Sequence, residues 1–174
     1  MVVYSTTKFF DGQGRTLGGA ILGNKELLDE KVLPFHRHTG PALSPFNAWV
    51  ILKGLETLPL RMERHVANAQ ALAALLEAHP SVAKVHYPGL ASFPQHALAK
   101  QQMTMPGALI ALELKGGKRA AFDFLNGLRI VAISNNLGDA KSLATHPATT
   151  THKNLTDEAR TELGMSAGTV RFSA

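Results

Sequence analysis

The sequence predicts an α/β fold, and three observations carry the prediction. Short apolar or β-branched runs recur at residues 2–7, 82–87, 109–114, 128–133 and 169–172. Segments with apolar residues at helical spacing lie between them, the longest over residues 60–78. Prolines, glycines and capping residues stand at the junctions, where such elements end.

Each element follows from local chemistry. Residues 2–7 are mostly β-branched and favour a strand. A glycine-bearing turn follows at residues 11–15. Residues 17–23 form a second strand, whose Gly18 and Gly19 mark a bulge or a close approach of backbone. Asn24 caps a helix over residues 25–33, Pro34 stops it, and residues 35–41 are loop. Ser44 caps the next helix and Pro45 opens it; Trp49, Leu52, Leu55 and Leu58 give it a buried face. Pro59 breaks or kinks that helix, and the long one follows. There Met62, Val66, Ala69, Leu72, Ala73 and Leu76 share one stripe.

Beyond His79-Pro80-Ser81 the pattern shortens. A strand at 82–87, a helix at 95–102, a strand at 109–114, a helix at 118–126 closed by Gly127 and a strand at 128–133 alternate. Thr156 caps a helix over 157–163 that Gly164 ends, and a strand at 169–172 comes last. Hairpin signals between these strands are weak, so strand order is not legible. Strands and helices alternating at this spacing make an α/β sandwich of the second half. A strand starts at the first residue and another runs into Ala174, the pattern of a piece of a larger domain.

Composition narrows the function. With 45% apolar and 18% charged residues, the 174-residue chain reads as globular. No cysteine is present, which excludes a disulfide framework and a thiolate metal site and fits a reducing cytoplasm. Residues 1–3 lack the charged and apolar regions of a signal peptide, and no apolar run reaches bilayer length, so no membrane partner is expected. The net charge of +5 suits an anionic ligand such as phosphate or carboxylate. Nucleic acid is not expected, because the basic residues are scattered without interleaved aromatics.

Several constellations bear on chemistry. Lys8 ends the run Tyr4-Ser5-Thr6-Thr7-Lys8 and precedes Gly12-Gln13-Gly14-Arg15. It is either a solvated surface amine or the amine that holds an aldehyde cofactor. The same run matches S-x-x-K of penicillin-binding enzymes, but in a continuing strand Ser5 and Lys8 point to opposite faces. Leu17 stands where a dinucleotide fingerprint needs its third glycine. His36-Arg37-His38 is the tightest histidine cluster and has no carboxylate spacing to support it, so no metal is expected. Residues 146–152 make a hydroxyl-rich loop suited to a ligand rim. Arg171, between Val170 and Phe172, requires an anionic partner if its strand is buried; a substrate carboxylate and a structural Asp or Glu are equally compatible.

These residues together resemble the Cys/Met-metabolism (trans-sulfuration) family of pyridoxal 5'-phosphate (PLP) enzymes. The resemblance rests on four segments in order: Tyr4-Ser5-Thr6-Thr7-Lys8; residues 40–49 with Lys53-Gly54-Leu55-Glu56-Thr57-Leu58; residues 136–143 with His146-Pro147-Ala148; and Val170-Arg171-Phe172-Ser173. It implies a fold-type-I PLP transferase-like architecture. Residues 1–59 would be the end of the large, PLP-binding domain and residues 60–174 most of the C-terminal α/β small domain. Lys8 would hold the cofactor and shuttle protons. Ser5 and Thr7 would bind its phosphate, their i, i+2 spacing putting both hydroxyls on one side of an extended segment. Arg171 would hold the substrate α-carboxylate, helped by Asn136 or Ser134.

Within the family, residues 11–15 and 149–152 look most like the members that exchange the succinate of O-succinylhomoserine for sulfide. Many relatives carry Gly-His-x-Asp where this chain has Gly12-Gln13-Gly14-Arg15, which weighs against a γ-lyase or β-lyase. The partners implied are a small amino-acid substrate, sulfide and further copies of the chain, as a homotetramer. The resemblance also implies that cofactor-binding parts of the large domain and a closing helix lie outside this sequence. The isolated chain is therefore expected to be a weak enzyme or none.

Overall fold

In the computed structural model, which describes residues 1–174, the chain divides into two units, Met1–Pro59 and Leu60–Ala174. In the first unit β1 (Val2–Ser5) pairs antiparallel with β2 (Gly19–Leu22), Val2 opposite Leu22 and Ser5 opposite Gly19. The segment between them packs tightly. A Cβ at Gly18 would lie 2.5 Å from Thr6 Oγ1 and 2.9 Å from Ile51 Cδ1, which accounts for glycine there.

The next helical run departs from the expectation. It passes from α1 (Lys25–Leu27), capped by the Asn24 side chain, through a π-helical stretch (Leu28–Val32) into α2 (Leu33–Thr39). Pro34 does not stop it. The N–H of Leu33 bonds Leu28 O, five residues back, and this wider turn just ahead of the proline relieves the ring's clash with the preceding turn. Residues 35–39, expected as loop, are therefore helical, and Gly40 ends the run at φ +75°.

Helix α3 (Pro45–Leu55) starts as expected, with Ser44 Oγ accepting the N–H of Asn47 at 3.1 Å. Its buried face is the other one. Val50, Ile51 and Gly54 are buried, while Trp49 and Leu52 are 56% and 57% exposed. Gly54 explains the choice: a Cβ there would sit 2.1 Å from the Phe10 carbonyl oxygen, so the helix turns its smallest residue toward the segment behind Lys8.

Helix α4 (Leu58–Glu77) takes Pro59 in its first turn, where a missing N–H costs nothing. Its buried stripe includes Val66, Ala69, Ala73 and Leu76, as its spacing predicts. In the second unit β3 (Val82–His86), α5 (His96–Gln102), β4 (Leu109–Leu114), α6 (Gly117–Asn126), β5 (Ala132–Ile133), β6 (Leu143–Thr145), α7 (Asp157–Glu162) and β7 (Thr169–Ser173) follow. The sheet order is β3-β4-β7-β6-β5. All pairs are antiparallel except β5 with β6. The strand expected at 128–133 shrinks to its last two residues, and β6, unread in the sequence, is wholly buried beside β7. The core joins Ala69, Ala73 and Leu76 of α4 and Ala121 and Leu125 of α6 to Ile110, Leu112, Val170 and Phe172 of the sheet. No helix is long and apolar enough to cross a membrane.

Candidate active site

The candidate residues fall into two groups, one in each unit. In the first unit the strand ends at Ser5, and the chain coils instead of continuing extended. Lys8 N–H bonds Ser5 O at 3.2 Å, Asp11 N–H bonds Thr6 O at 3.0 Å and Gly12 N–H bonds Lys8 O at 2.8 Å. The i, i+2 geometry expected for Ser5 and Thr7 is therefore corrected: Thr7 lies in a turn, with Ser5 at its start. The geometric objection to S-x-x-K falls as well, since Ser5 and Lys8 are one turn apart.

Two further contacts fix the turn. Thr7 Oγ1 accepts the N–H of Gly18 at 3.0 Å. The rings of Tyr4 and Phe10 stack at 4.5 Å. Beyond Lys8, the carboxylate of Asp11 is enclosed; it accepts the backbone N–H of Arg15 at 2.5 Å and Arg15 Nε at 2.8 Å. This clasp closes the Gly12-Gln13-Gly14-Arg15 loop, with Gly12 at φ +70° and Gly14 at φ +63°. The side chain of Lys8 is half-buried, and Thr6 Oγ1 and Thr16 Oγ1 are buried without a hydrogen-bond partner.

In the second unit Arg171 sits on β7, the middle strand of five, between buried neighbours. Its Nη2 donates to the carbonyls of Asn135 at 2.9 Å and Asn136 at 2.8 Å. Its Nε is buried without a partner, and burial pushes the guanidinium below its ordinary pKa. No Asp or Glu pairs with it, so of the two partners the sequence allowed, the structural acid is absent. Two carbonyls orient the group without neutralising it, which leaves a cation prepared for an anion. Ser134 Oγ accepts the N–H of Asn136 at 3.2 Å, so Ser134, Asn136 and Arg171 are brought together. What binds Arg171 is the backbone of Asn135 and Asn136, which side-chain patterns do not reveal.

Other candidates resolve plainly. No group of three or more His, Cys, Asp or Glu stands close enough to hold a metal, and His36 and His38 are exposed on α2. In the loop at 146–152, His146 is buried, with Nε2 near Ala167 O at 3.0 Å and Nδ1 near Thr149 Oγ1 at 2.9 Å. Its nitrogens are engaged within the protein.

The first unit thus carries a lysine on a turn with two hydroxyls, and the second an arginine held by two backbone carbonyls. The chain belongs to the family of Cys/Met metabolism PLP-dependent enzymes, whose model matches residues 1–174. It is 54% identical to O-succinylhomoserine sulfhydrylase of Mycobacterium tuberculosis (strain ATCC 25618 / H37Rv), over 99% of this chain and 44% of that protein. It is 48% identical to L-methionine gamma-lyase of Pseudomonas putida, with the same coverage. Among solved structures, cystathionine gamma synthase from Xanthomonas oryzae pv. oryzae superposes with a TM-score of 0.94 at 41% identity, over 99% of this chain and 44% of that one. These neighbours establish the fold-type-I architecture. The chain spans less than half the length of the relatives it matches.

Proposed function

We propose that this chain is part of a PLP-dependent enzyme that replaces the γ-substituent of O-succinylhomoserine with sulfide, giving homocysteine and succinate. The observation that carries the reading is Arg171: a half-buried cation on a central strand, oriented by two carbonyls and met by no acid. An amino-acid α-carboxylate completes it. The sulfhydrylase choice over the γ-lyase is supported by the residues Gly12-Gln13-Gly14-Arg15 and by the higher identity to the sulfhydrylase, 54% against 48% for the γ-lyase. The resemblance extends the reading to a cytoplasmic homotetramer, which sedimentation of the full-length enzyme tests.

The residues present fit the cofactor's chemistry. Lys8 supplies the amine, and the Ser5 and Thr7 hydroxyls supply phosphate donors on the same turn; Thr7 Oγ1 accepts the Gly18 N–H at 3.0 Å and donates to Gly18 O at 3.4 Å, a long bond that a phosphate oxygen would replace. When bound, PLP supplies the electron sink that lets Cα lose its proton. Lys8 moves protons at Cα and Cβ, Arg171 holds the carboxylate, and Ser134 and Asn136 shape the backbone beside it. In the net reaction the Cγ–O bond breaks, succinate leaves with the electron pair, and the sulfide sulfur forms the Cγ–S bond.

Borohydride trapping tests the reading. The purified chain is mixed with pyridoxal phosphate, reduced and digested, and the modified lysine is located by mass. Labelling of Lys8 above the other lysines, suppressed by free phosphate and lost in Lys8→Arg, is the expected result. Labelling scattered over the lysines overturns the assignment of Lys8.

A further inference from the structure

The loop of residues 134–142 is fastened to β7 at two points. Arg171 bonds the carbonyls of Asn135 and Asn136, and two residues along the same strand Ser173 Oγ accepts the N–H of Gly138 at 3.0 Å. Strand alternation puts positions 171 and 173 on one face. Both partners of the second bond are buried, Ser173 at 1% exposure, and Gly138 turns the chain at φ +72°. The first fastening is made by the guanidinium itself. Whatever sets the height of the Asn135 and Asn136 carbonyls above β7 therefore sets where that guanidinium points. Within the loop, Ser134 Oγ accepts the N–H of Asn136 and Asp139 Oδ1 that of Lys141; the Ser134 N–H bonds Ala144 O of β6 at 3.0 Å, so β6 holds the loop's start and Ser173 holds it on the far side of the two carbonyls.

We infer that Ser173 is a positioning residue for Arg171: by holding Gly138 it fixes the carbonyls that aim the guanidinium at its carboxylate. The inference rests on the reading of Arg171 as the carboxylate receptor. It assigns to Ser173 an effect on ligand affinity that exceeds its effect on folding. The test is titration of the ¹⁵N-labelled chain with L-homoserine, followed at the backbone amides of Asn136 and Gly138. Ser173→Thr keeps the hydroxyl; Ser173→Val has nearly the same volume without it; Ser173→Ala removes it without added bulk. Binding by the Thr variant is expected within about twofold of wild type, and binding by the Val and Ala variants weaker by about fivefold, the loss of one hydrogen bond. Equal affinity of the folded Thr and Val variants overturns the inference. If those two bind alike while Arg171→Lys weakens binding, the carboxylate reading stands and the role of Ser173 alone fails. If wild type shows no saturable shift, the carboxylate reading falls and the inference with it.

Discussion

Gly54 shows how one missing atom shapes the candidate site. A Cβ at that position meets the Phe10 carbonyl at 2.1 Å, a backbone contact that no rotamer relieves. Gly54→Ala is expected to lower stability by about 2 kcal/mol or more and to abolish preferential labelling of Lys8. Urea unfolding and the trapping assay read the two effects separately. Tyr87 gives a second prediction. Its hydroxyl donates to Gly107 O at 2.9 Å, and burial raises its pKa. The folded state therefore keeps the phenol proton to higher pH than the unfolded chain does. The stability tied to it is complete below about pH 10, the unfolded value, and is lost as pH rises through the folded one. Tyr87→Phe is expected to cost about 1 kcal/mol at pH 8 and to flatten the decline in stability that sets in above about pH 10.

At the scale of elements, α3 separates sequence pattern from actual burial. The spacing of Trp49, Leu52 and Leu55 makes an apolar stripe, yet Val50, Ile51 and Gly54 face inward. Ile51→Ala should cost about 2–4 kcal/mol, and Trp49→Ala less than about 1 kcal/mol; equal losses would contradict this burial. The π-helical turn before Pro34 makes the related point that a proline ends a helix only when the preceding turn stays α-helical.

For the whole molecule, the two units differ in what they bury. Residues 60–174 hold a five-stranded sheet and an apolar core from Ala69 to Ala174. Residues 1–59 hold a two-stranded sheet and few buried apolar side chains, chiefly Val50 and Ile51. An isolated two-stranded sheet is marginal in water. Amide exchange is therefore expected to be slow on β4 and β7 and fast on β1 and β2. Comparable protection in both units would show that residues 1–59 draw stability from elsewhere. Exposed Val3, Phe46 and Trp49 on the first unit agree with a chain spanning 44% of its relatives' length.

By itself the sequence determined what local chemistry controls. The caps at Asn24, Ser44 and Thr156, the α4 stripe and the α/β alternation all depend on residues within a few positions of one another. Four ordered motifs were enough to place the chain in its family. Only the tertiary structure decided the rest. Strand order, the buried β6 and the inward face of α3 depend on partners distant in sequence. The turn at Thr6 overrides β-branched propensity because the Gly18 backbone receives Thr6, and Gly54 makes room for Phe10 and Asp11 at the turn's far end. The holders of Arg171 are carbonyl groups, which every residue carries, so no pattern of side chains announces them.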